Sequence, residues 1–287
     1  MLNGILNVYK EKGYTSHDVV ARLRGITGQR KIGHTGTLDP EACGVLPVCL
    51  GNATKLCGML TEKQKEYIAW MKLGISTDTQ DLTGQLLETC PVAVTEEEIR
   101  KAAAAFVGEY DQIPPMYSAL KINGKRLYRL AREGKVVERK SRRVEIHELE
   151  VLKTRLPEVQ IRVLCSKGTY IRTLCKDIGL ALGCGGCMES LRRVSAGAYT
   201  IEEAVPLETL LESEAPQDYL RPVDSMFAQY PAVTLTANQE KRCRNGNSFS
   251  LELAPGTYRA YSQSGEFLML AKVEDGVMST VKSFFEV

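Results

Sequence analysis

The chain has 287 residues, of which 44% are hydrophobic and 25% are charged, and its formal net charge is +2. This composition is that of an ordinary globular protein and excludes a disordered or collagen-like chain. The length favours one large domain with a smaller second one, and no apolar run approaches the roughly 18 residues of a membrane-spanning helix.

The first half of the chain alternates predicted strands and helices. Gly4–Tyr9 is a predicted strand, and the capping box that begins at Thr15 predicts an amphipathic helix. A glycine-rich loop, Gly33–Gly44, precedes a predicted buried strand at Val45–Leu50. The next predicted elements are a short helix at Ala53–Leu60, strands at Lys65–Leu73 and Gln85–Thr89, and a helix from a second capping box at Thr95 to Phe106.

The second half begins with a basic segment and ends in short strands. The Asn123-Gly124 pair predicts a tight hairpin turn, and the residues after it predict a short basic helix. The acidic segment Pro206–Tyr230 is interpreted as a linker or an outer layer. The remaining predicted elements are strands at Val144–Leu152 and Val159–Cys165, a helix at Thr173–Leu182, and a small β module made of Val233–Thr236, Gly256–Tyr261, Phe267–Val273 and Val277–Phe285.

Charge is concentrated in two segments of opposite sign. Residues 121–143 contain ten Lys or Arg against two Glu, a net charge of +8. Residues 202–224 contain seven acids against one Arg, a net charge of −6. A basic block of this size is typical of a surface that contacts a phosphate backbone, although a solvated charged surface explains it equally well.

The cysteines bear on the compartment and on metal binding. There are nine, and the start of the chain lacks the basic and apolar regions of a secretory signal. We therefore expect reduced thiols in a cytoplasmic protein. Cys184 and Cys187 have zinc-like spacing, but no second Cys/His pair of matching spacing accompanies them, so we predict no metal site.

The loop Gly33–Gly44 carries the most chemical information. It surrounds Asp39 and His34 with glycines, a proline and hydroxyl side chains. Such a loop can bring backbone close to a ligand and hold a carboxylate at its rim. One alternative is a turn in which Asp39 caps a helix. Another is a nucleotidyltransferase loop that binds ATP, but the loop has no P-loop ending and lacks a second histidine.

The blocks around this loop resemble the catalytic signature of the TruB pseudouridine synthases. They follow the family order over most of residues 1–200: Gly33–Pro40, Gly44–Pro47, Gly51–Leu56, Lys65–Tyr67, Gly74–Gly84, Gln112–Lys121, Gly124–Tyr128, Gly168–Arg172 and Leu191–Arg193. One block could match by chance, whereas all of them in order could not. The resemblance implies isomerisation of a uridine in the T-loop of tRNA, position 55 by convention, without a cofactor or a metal.

The resemblance assigns the catalytic roles to three residues. Asp39 is implied to be the nucleophile, which must be ionised to attack. Arg172 is implied to pair with Asp39 and to hold it ionised despite burial; a structural ion pair is the alternative. Tyr67 is implied to stack against the flipped uracil and is a candidate proton acceptor, the alternative being a tyrosine of the core.

Six further residues are predicted to contact the RNA. His34 is implied to help flip the uridine and to occupy the vacated stack, and Asp81 to lie near the flipped nucleotide. Leu191 is implied to line the uracil pocket. Lys55 and the Arg192-Arg193 pair are predicted phosphate contacts. The alternatives are a structural histidine, a turn-forming aspartate, core packing and plain surface charge, respectively.

The expected architecture follows from the same resemblance. It implies an α+β pseudouridine synthase fold around a mixed, mostly antiparallel sheet over residues 1–230. A short PUA-like RNA-binding module is expected over residues 231–287. The implied partner is the T-arm stem-loop of tRNA, with no membrane and no obligate protein partner, and we expect a monomer.

Two rival functions are compatible with the sequence. An RNA-binding protein or tRNA folding chaperone with incidental catalysis would suit the basic segment 121–143. A guide-RNA-dependent pseudouridine synthase would share the catalytic loop but would need partner proteins.

Overall fold

The computed structural model describes residues 1–285. The strands are β1 (Gly4–Lys10), β2 (Ile32–His34), β3 (Cys43–Leu50), β4 (Lys65–Leu73), β5 (Ile75–Thr77), β6 (Leu86–Thr89), β7 (Gly108–Gln112), β8 (Lys121–Ile122), β9 (Lys125–Arg126), β10 (Arg142–Arg155), β11 (Glu158–Cys165), β12 (Gly186–Ala196), β13 (Tyr199–Thr200), β14 (Val205–Pro206), β15 (Ala232–Thr234), β16 (Phe249–Ser250), β17 (Gly256–Tyr261), β18 (Phe267–Glu274) and β19 (Val277–Ser283). The helices are α1 (Ser16–Thr27), α2 (Cys57–Thr61), α3 (Glu96–Ala104), α4 (Leu127–Arg132), α5 (Ile171–Ala181), α6 (Leu207–Glu212) and α7 (Ala237–Arg244).

A mixed sheet of ten strands forms the centre of the molecule. Its order is β14-β1-β3-β12-β4-β11-β10-β7, with β2 paired to β3 and β13 paired to β12. Only β1–β14 and β3–β12 are parallel pairs; the other pairs of this sheet are antiparallel. The predicted mixed, mostly antiparallel sheet is therefore confirmed.

Helices α1 and α3 begin where the sequence predicts, and α1 and α5 pack on this sheet. Thr15 caps α1 and Thr95 caps α3, each in a reciprocal capping box that satisfies free N–H groups of the first turn. Leu23 of α1 shares a core cluster with Val8 of β1. Ile178 of α5 is buried in a second cluster that includes β4 and β11. Burial of these apolar side chains supplies the main favourable free energy of folding.

Two predicted segments differ in the structure. The helix expected at Ala53–Leu60 is a 3₁₀ turn over Gly51–Leu56 that continues into the short helix α2. The basic pair Arg192-Arg193 lies in β12 in the centre of the sheet, where Arg192 is exposed and Arg193 is buried. Arg193 is only 1% exposed, so the prediction that it contacts phosphate is wrong. Residue type alone predicts exposure for arginine, whereas here backbone carbonyls accept its hydrogen bonds.

A second sheet follows the acidic segment and has the order β15-β17-β18-β19-β16. We call this sheet, together with α7, the C-terminal module; α7 was not predicted. Phe267 and Phe284 of this region pack with Phe227 of the preceding segment. The hydroxyl of Tyr261 donates to Asp224 Oδ2 at 2.6 Å. The last two residues of the predicted module, 286–287, lie outside the described residues.

Each helix within residues 1–285 is too short or too polar to cross a bilayer.

We expect Gly44→Ala to lower the free energy of unfolding by about 3 kcal/mol or more, because strain and a clash combine. Gly44 has φ of 107° at the start of β3. A Cβ there would lie 2.2 Å from the carbonyl oxygen of Arg193, its partner on β12. Urea unfolding followed by circular dichroism measures the loss.

Gly13→Ala is the matched control for this substitution. Gly13 also has positive φ, 93°, but a Cβ added there would have no other atom within 4 Å. Strain alone predicts a loss of about 1 kcal/mol. Equal losses for the two variants would contradict the packing argument.

Candidate active site

The loop that carries Asp39 emerges at a change of strand pairing. One edge of β3 pairs with β2 at residues 48–50 and with β12 at residues 43–44. The chain must therefore leave the sheet between His34 and Cys43. The loop is anchored along its length, since Leu38 N–H donates to Ser16 Oγ at 2.9 Å. Gly13 N–H donates to the carbonyl of Pro40 at 2.8 Å.

Asp39 and Arg172 form an ion pair. Arg172 Nε lies 3.0 Å from Asp39 Oδ2, and the two side chains are 6% and 38% exposed, respectively. Arg172 lies in the first turn of α5. Its Nη1 donates to the carbonyl of Thr79 at 3.1 Å and its Nη2 to the carbonyl of Tyr117 at 2.8 Å. One guanidinium thus joins the Asp39 loop to two other loops.

The electrostatic environment of Asp39 combines opposing influences. Burial raises the pKa of its carboxyl group, and Asp81 adds to this, whereas Arg172 and Lys10 lower it. The net pKa is above the ordinary value. Arg172 therefore favours the ionised form, as expected, but burial outweighs it. Asp39 loses its charge at a higher pH than a solvent-exposed aspartate does.

Asp81 faces the same guanidinium from the loop after β5. Its Oδ2 lies 3.7 Å from Arg172 Nη1, and its side chain is 14% exposed. The other oxygen, Oδ1, accepts from Thr79 Oγ1 at 2.7 Å, from Thr83 N–H at 3.0 Å and from Thr83 Oγ1 at 2.6 Å. Asp81 therefore orders its own loop and contributes negative charge beside Asp39.

Tyr67 and Leu191 line the sheet next to Asp39. They are 7% and 9% exposed, and they share a core cluster with Leu38 of the catalytic loop. Burial raises the pKa of the Tyr67 phenol, and the positive charge of Arg193 opposes this shift. The ring of Tyr67 thus borders the catalytic loop on an apolar surface that an unstacked base could contact.

His34 ends β2 at the start of the catalytic loop. Its Nδ1 accepts from Gly36 N–H at 3.3 Å, and its ring meets His17 edge-on with centroids 5.4 Å apart. Burial, then the neighbouring His17 and Arg193, lower the pKa of His34 to about 4. The imidazole is therefore neutral at physiological pH and offers an uncharged flat ring.

Lys55 and Arg192 differ from the other predicted residues. The ammonium group of Lys55 donates to the carbonyl of Ser283 at 3.0 Å, so it bridges to the C-terminal module. Arg192 is exposed on β12. The structure thus groups Asp39, Arg172, Asp81, Tyr67 and Leu191 around one point, with His34 at the start of their loop. Phosphate contact by Lys55 and Arg192 stays a prediction.

Two buried cations lie near the loop: Lys10, which the sequence did not predict as part of the site, and Arg193, which it predicted as a phosphate contact. Arg193 donates from Nη2 to the carbonyl of Gly36 at 3.2 Å. Lys10 is fully buried, and its ammonium group donates to the carbonyls of Tyr14 at 2.6 Å and Pro40 at 3.4 Å. Burial lowers the pKa of Lys10 to about 8. The sequence signal for Arg193 is its place in the block Leu191–Arg193, which resembles the family signature.

A cleft of about 620 Å³ opens beside these residues, and its lining includes Asp81, Leu191 and Trp70. Within residues 1–285, no cluster of His, Cys, Asp or Glu is arranged to hold a metal ion. Cys184 and Cys187 are buried free thiols, and burial raises the pKa of both. The chemistry available at this site is that of a carboxylate, a guanidinium and a phenol.

Comparison with known proteins places these residues in a family. The sequence matches the model of the TruB family pseudouridylate synthase N-terminal domain over residues 24–171. It matches the tRNA pseudouridylate synthase B C-terminal domain over residues 172–228.

Relatives named tRNA pseudouridine synthase B are similar over most of the chain. The protein of Clostridium novyi is 48% identical, with 94% of this chain and 95% of the relative covered. That of Clostridium kluyveri is 42% identical, with 99% and 100% covered. That of Lachnoclostridium phytofermentans is 52% identical, with 86% and 84% covered.

Two solved structures are similar in fold. One is a Cbf5-Nop10-Gar1 complex, with a TM-score of 0.72, 27% identity, and coverage of 98% of this chain and 85% of that chain. The other is an H/ACA RNP bound to a substrate RNA containing 2′-deoxyuridine, with a TM-score of 0.71, 25% identity, and coverage of 99% and 85%. With its catalytic loop, its central sheet and both family domains in place, this chain belongs to the TruB family of pseudouridine synthases.

Proposed function

We infer that this protein is a tRNA pseudouridine synthase that converts uridine 55 of the T-loop to pseudouridine, with Asp39 as its nucleophile and no cofactor. The observation that carries the inference is the 3.0 Å ion pair of Asp39 and Arg172 on the family's loop. The names of the relatives supply the substrate class.

The reaction exchanges one bond of the uracil for another. The bond from N1 to C1′ breaks, a bond from C5 to C1′ forms, the hydrogen of C5 leaves as a proton, and N1 gains a proton. Because the target base is stacked in folded RNA, it must be flipped into the site first. The carboxylate of Asp39 then acts at the sugar, either by direct attack or through elimination, while Arg172 keeps it ionised and oriented.

The other grouped residues hold the base. We propose that the ring of Tyr67 stacks on the flipped uracil and that Leu191 forms an apolar wall of its pocket. His34, neutral at physiological pH, supplies an uncharged ring that can fill the vacated stack. Asp81 positions Arg172 through a different nitrogen from Asp39, with its Oδ2 3.7 Å from Nη1.

The basic segment 121–143 is the proposed contact for the RNA backbone. Its hairpin of β8 and β9 and the following helix α4 present exposed cations, including Lys125 and Arg129. The carbonyl of Tyr117, which precedes this segment, accepts a hydrogen bond from Arg172. Only a few residues of chain therefore separate the basic segment from a direct contact with the catalytic ion pair.

Neutralising Lys125 and Arg129 together, as Lys125→Ser and Arg129→Ser, should weaken tRNA binding and reduce the slope of log Kd against log salt by about 2, since each phosphate contact contributes about one unit. The same change at Lys101 and Lys153, two exposed lysines on α3 and β10, is the matched control. Filter binding across a salt series measures both slopes. An unchanged slope in the first variant would remove this segment from the interface.

Domain organisation, oligomeric state and cellular compartment follow from the same proposed function. The catalytic domain spans residues 1–230, and residues 231–287 form a PUA-like RNA-binding module, which the five-stranded C-terminal sheet supports. The enzyme acts as a monomer without an obligate protein partner. It works in the cytoplasm, a compartment that suits nine free cysteine thiols.

The testing experiment uses the purified chain and unmodified T-arm RNA, with no added metal, nucleotide, guide RNA or partner. The RNA carries tritium at C5 of uridine, and tritium released to water is counted. Release supports a stand-alone synthase. Tight binding without release would favour the chaperone or the guide-dependent alternative, which the similar RNP structures make worth excluding.

A further inference from the structure

Arg193 is a buried charge to which the proposed mechanism assigns no role. It is 1% exposed and lies in the middle of β12. Its direct partner across the sheet is Tyr67 of β4. Because directly paired residues project from the same face of a sheet, the two side chains lie next to each other.

Two backbone carbonyls hold the guanidinium of Arg193. Its Nε donates to the carbonyl of Val45 at 2.6 Å and its Nη2 to the carbonyl of Gly36 at 3.2 Å. Its positive charge also acts on the neighbouring phenol of Tyr67, whose pKa it lowers. In residues 1–285 it forms no ion pair with a carboxylate. A buried cation without a counter-ion is costly, so an anion that arises beside it is strongly stabilised.

Three titratable groups influence the phenol of Tyr67 and so define where such an anion can form. Arg193 on β12 lowers the pKa of the phenol, whereas the thiol of Cys165 on β11 and the carboxyl group of Asp39 on the catalytic loop raise it. Arg193 in turn has the cations Lys10 and Lys65 and the neutral His34 as neighbours. The phenol is therefore paired across the sheet with a buried cation and is influenced by the charge of the proposed nucleophile.

We propose that Arg193 is a positioning residue for Tyr67: it fixes the phenol oxygen and stabilises the phenolate form that accepts a proton from the substrate. The inference rests on the proposed function. In the step concerned, Tyr67 has lost its own proton to water and C1′ is already joined to C5. The C5–H bond breaks, and its electron pair re-forms the C5–C6 double bond while the π pair of the N1–C6 bond returns to N1. The C5 proton passes to the phenolate oxygen, and N1 takes a proton from water.

The net pKa of the Tyr67 phenol is above its ordinary value, because burial is the largest influence on it. Arg193 is the largest influence that lowers this pKa. Removal of Arg193 should therefore raise the pKa of Tyr67 further and shift the alkaline rise of the rate to higher pH. Titration of Asp39 sets the acidic limb of the pH–rate profile, and removal of Arg193 should leave that limb at the same pH.

A double-mutant cycle tests the proposal with Arg193→Met, Tyr67→Phe and their combination. The readouts are the single-turnover rate of tritium release between about pH 6 and pH 10 and the Kd for unmodified tRNA. Arg193→Met should lower the rate about 100-fold at neutral pH, with Kd changed by less than about threefold. Arg193→Lys, which keeps the charge, should recover part of the rate and of the alkaline limb.

In the Tyr67→Phe background, Arg193→Met should reduce the rate by less than about threefold, because the group it positions is gone. Additive losses, or an equal loss of tRNA affinity, would overturn the proposal and leave Arg193 a structural residue. If Arg193→Met does not fold, Arg193→Lys completes the same cycle. An inactive wild-type protein would refute the proposed function, whereas an active one with additive losses refutes only this inference.

Discussion

Replacing Asp39 by asparagine should lower the single-turnover rate of tritium release by a factor of about 10⁴ or more, because an amide cannot act as an anionic nucleophile. The substitution keeps the size and shape of the side chain, so Kd for tRNA should change by less than about threefold. The ion pair with Arg172 is lost, but the buried guanidinium keeps Asp81 at 3.7 Å and its two carbonyl acceptors, and Asp39 itself is partly exposed. Stability should therefore fall by only about 1 kcal/mol.

Asp218→Asn is the matched control, because Asp218 is an exposed aspartate in the acidic segment, far from the catalytic loop in sequence. Its rate should equal that of the wild type. A near-normal rate for Asp39→Asn would eliminate Asp39 as the nucleophile. Loss of tRNA binding in parallel with loss of rate would instead assign Asp39 a role in recognition.

Arg172→Met should lower the rate by about 10³-fold, since the guanidinium both orients Asp39 and favours its ionised form. It also leaves the carbonyls of Thr79 and Tyr117 without their donors. Loss of these bonds and of the buried charge pair should reduce the free energy of unfolding by about 3 kcal/mol. Single-turnover kinetics and urea unfolding measure the two effects separately.

The pH profile distinguishes an electrostatic role of Arg172 from a purely structural one. Burial already raises the pKa of Asp39, and Arg172 is the largest influence that lowers it. Without Arg172 the pKa rises further, so the rate should fall at a higher pH as the solution is acidified. Arg172→Lys, which keeps the positive charge, should have an intermediate acidic limb. Identical acidic limbs in all three proteins would mean that Arg172 acts only through structure.

Local signals in the sequence predicted much of the fold. The capping boxes at Thr15 and Thr95 predicted two helix starts because the reciprocal hydrogen bonds involve residues only three positions apart. The hairpin at Asn123-Gly124 was predicted for a similar reason, and both residues have positive φ in the structure. Such features depend on neighbours in sequence, and tertiary packing did not override them.

Long-range features could not be derived from periodicity. The strand β12 escaped prediction because glycines precede it and two arginines interrupt its apolar pattern. Its central position, and hence the burial of Arg193, depends on pairing with β3 and β4, which are distant in sequence. The proximity of Asp39 and Arg172 was expected only through family resemblance, since no local pattern relates two residues so far apart.

The strand order also constrains how the protein is made. Because β12 separates β3 from β4, the two parts of the central sheet have no direct pairing until residues 186–196 have been synthesised. A nascent chain that has reached only residue 171, where the N-terminal family domain ends, therefore exposes open strand edges on β3 and β4. Unpaired edges of this kind promote aggregation, and pairing over such sequence distances is slow. Folding of the catalytic core is thus a late event in translation, and a prematurely terminated chain is a substrate for chaperones and proteases.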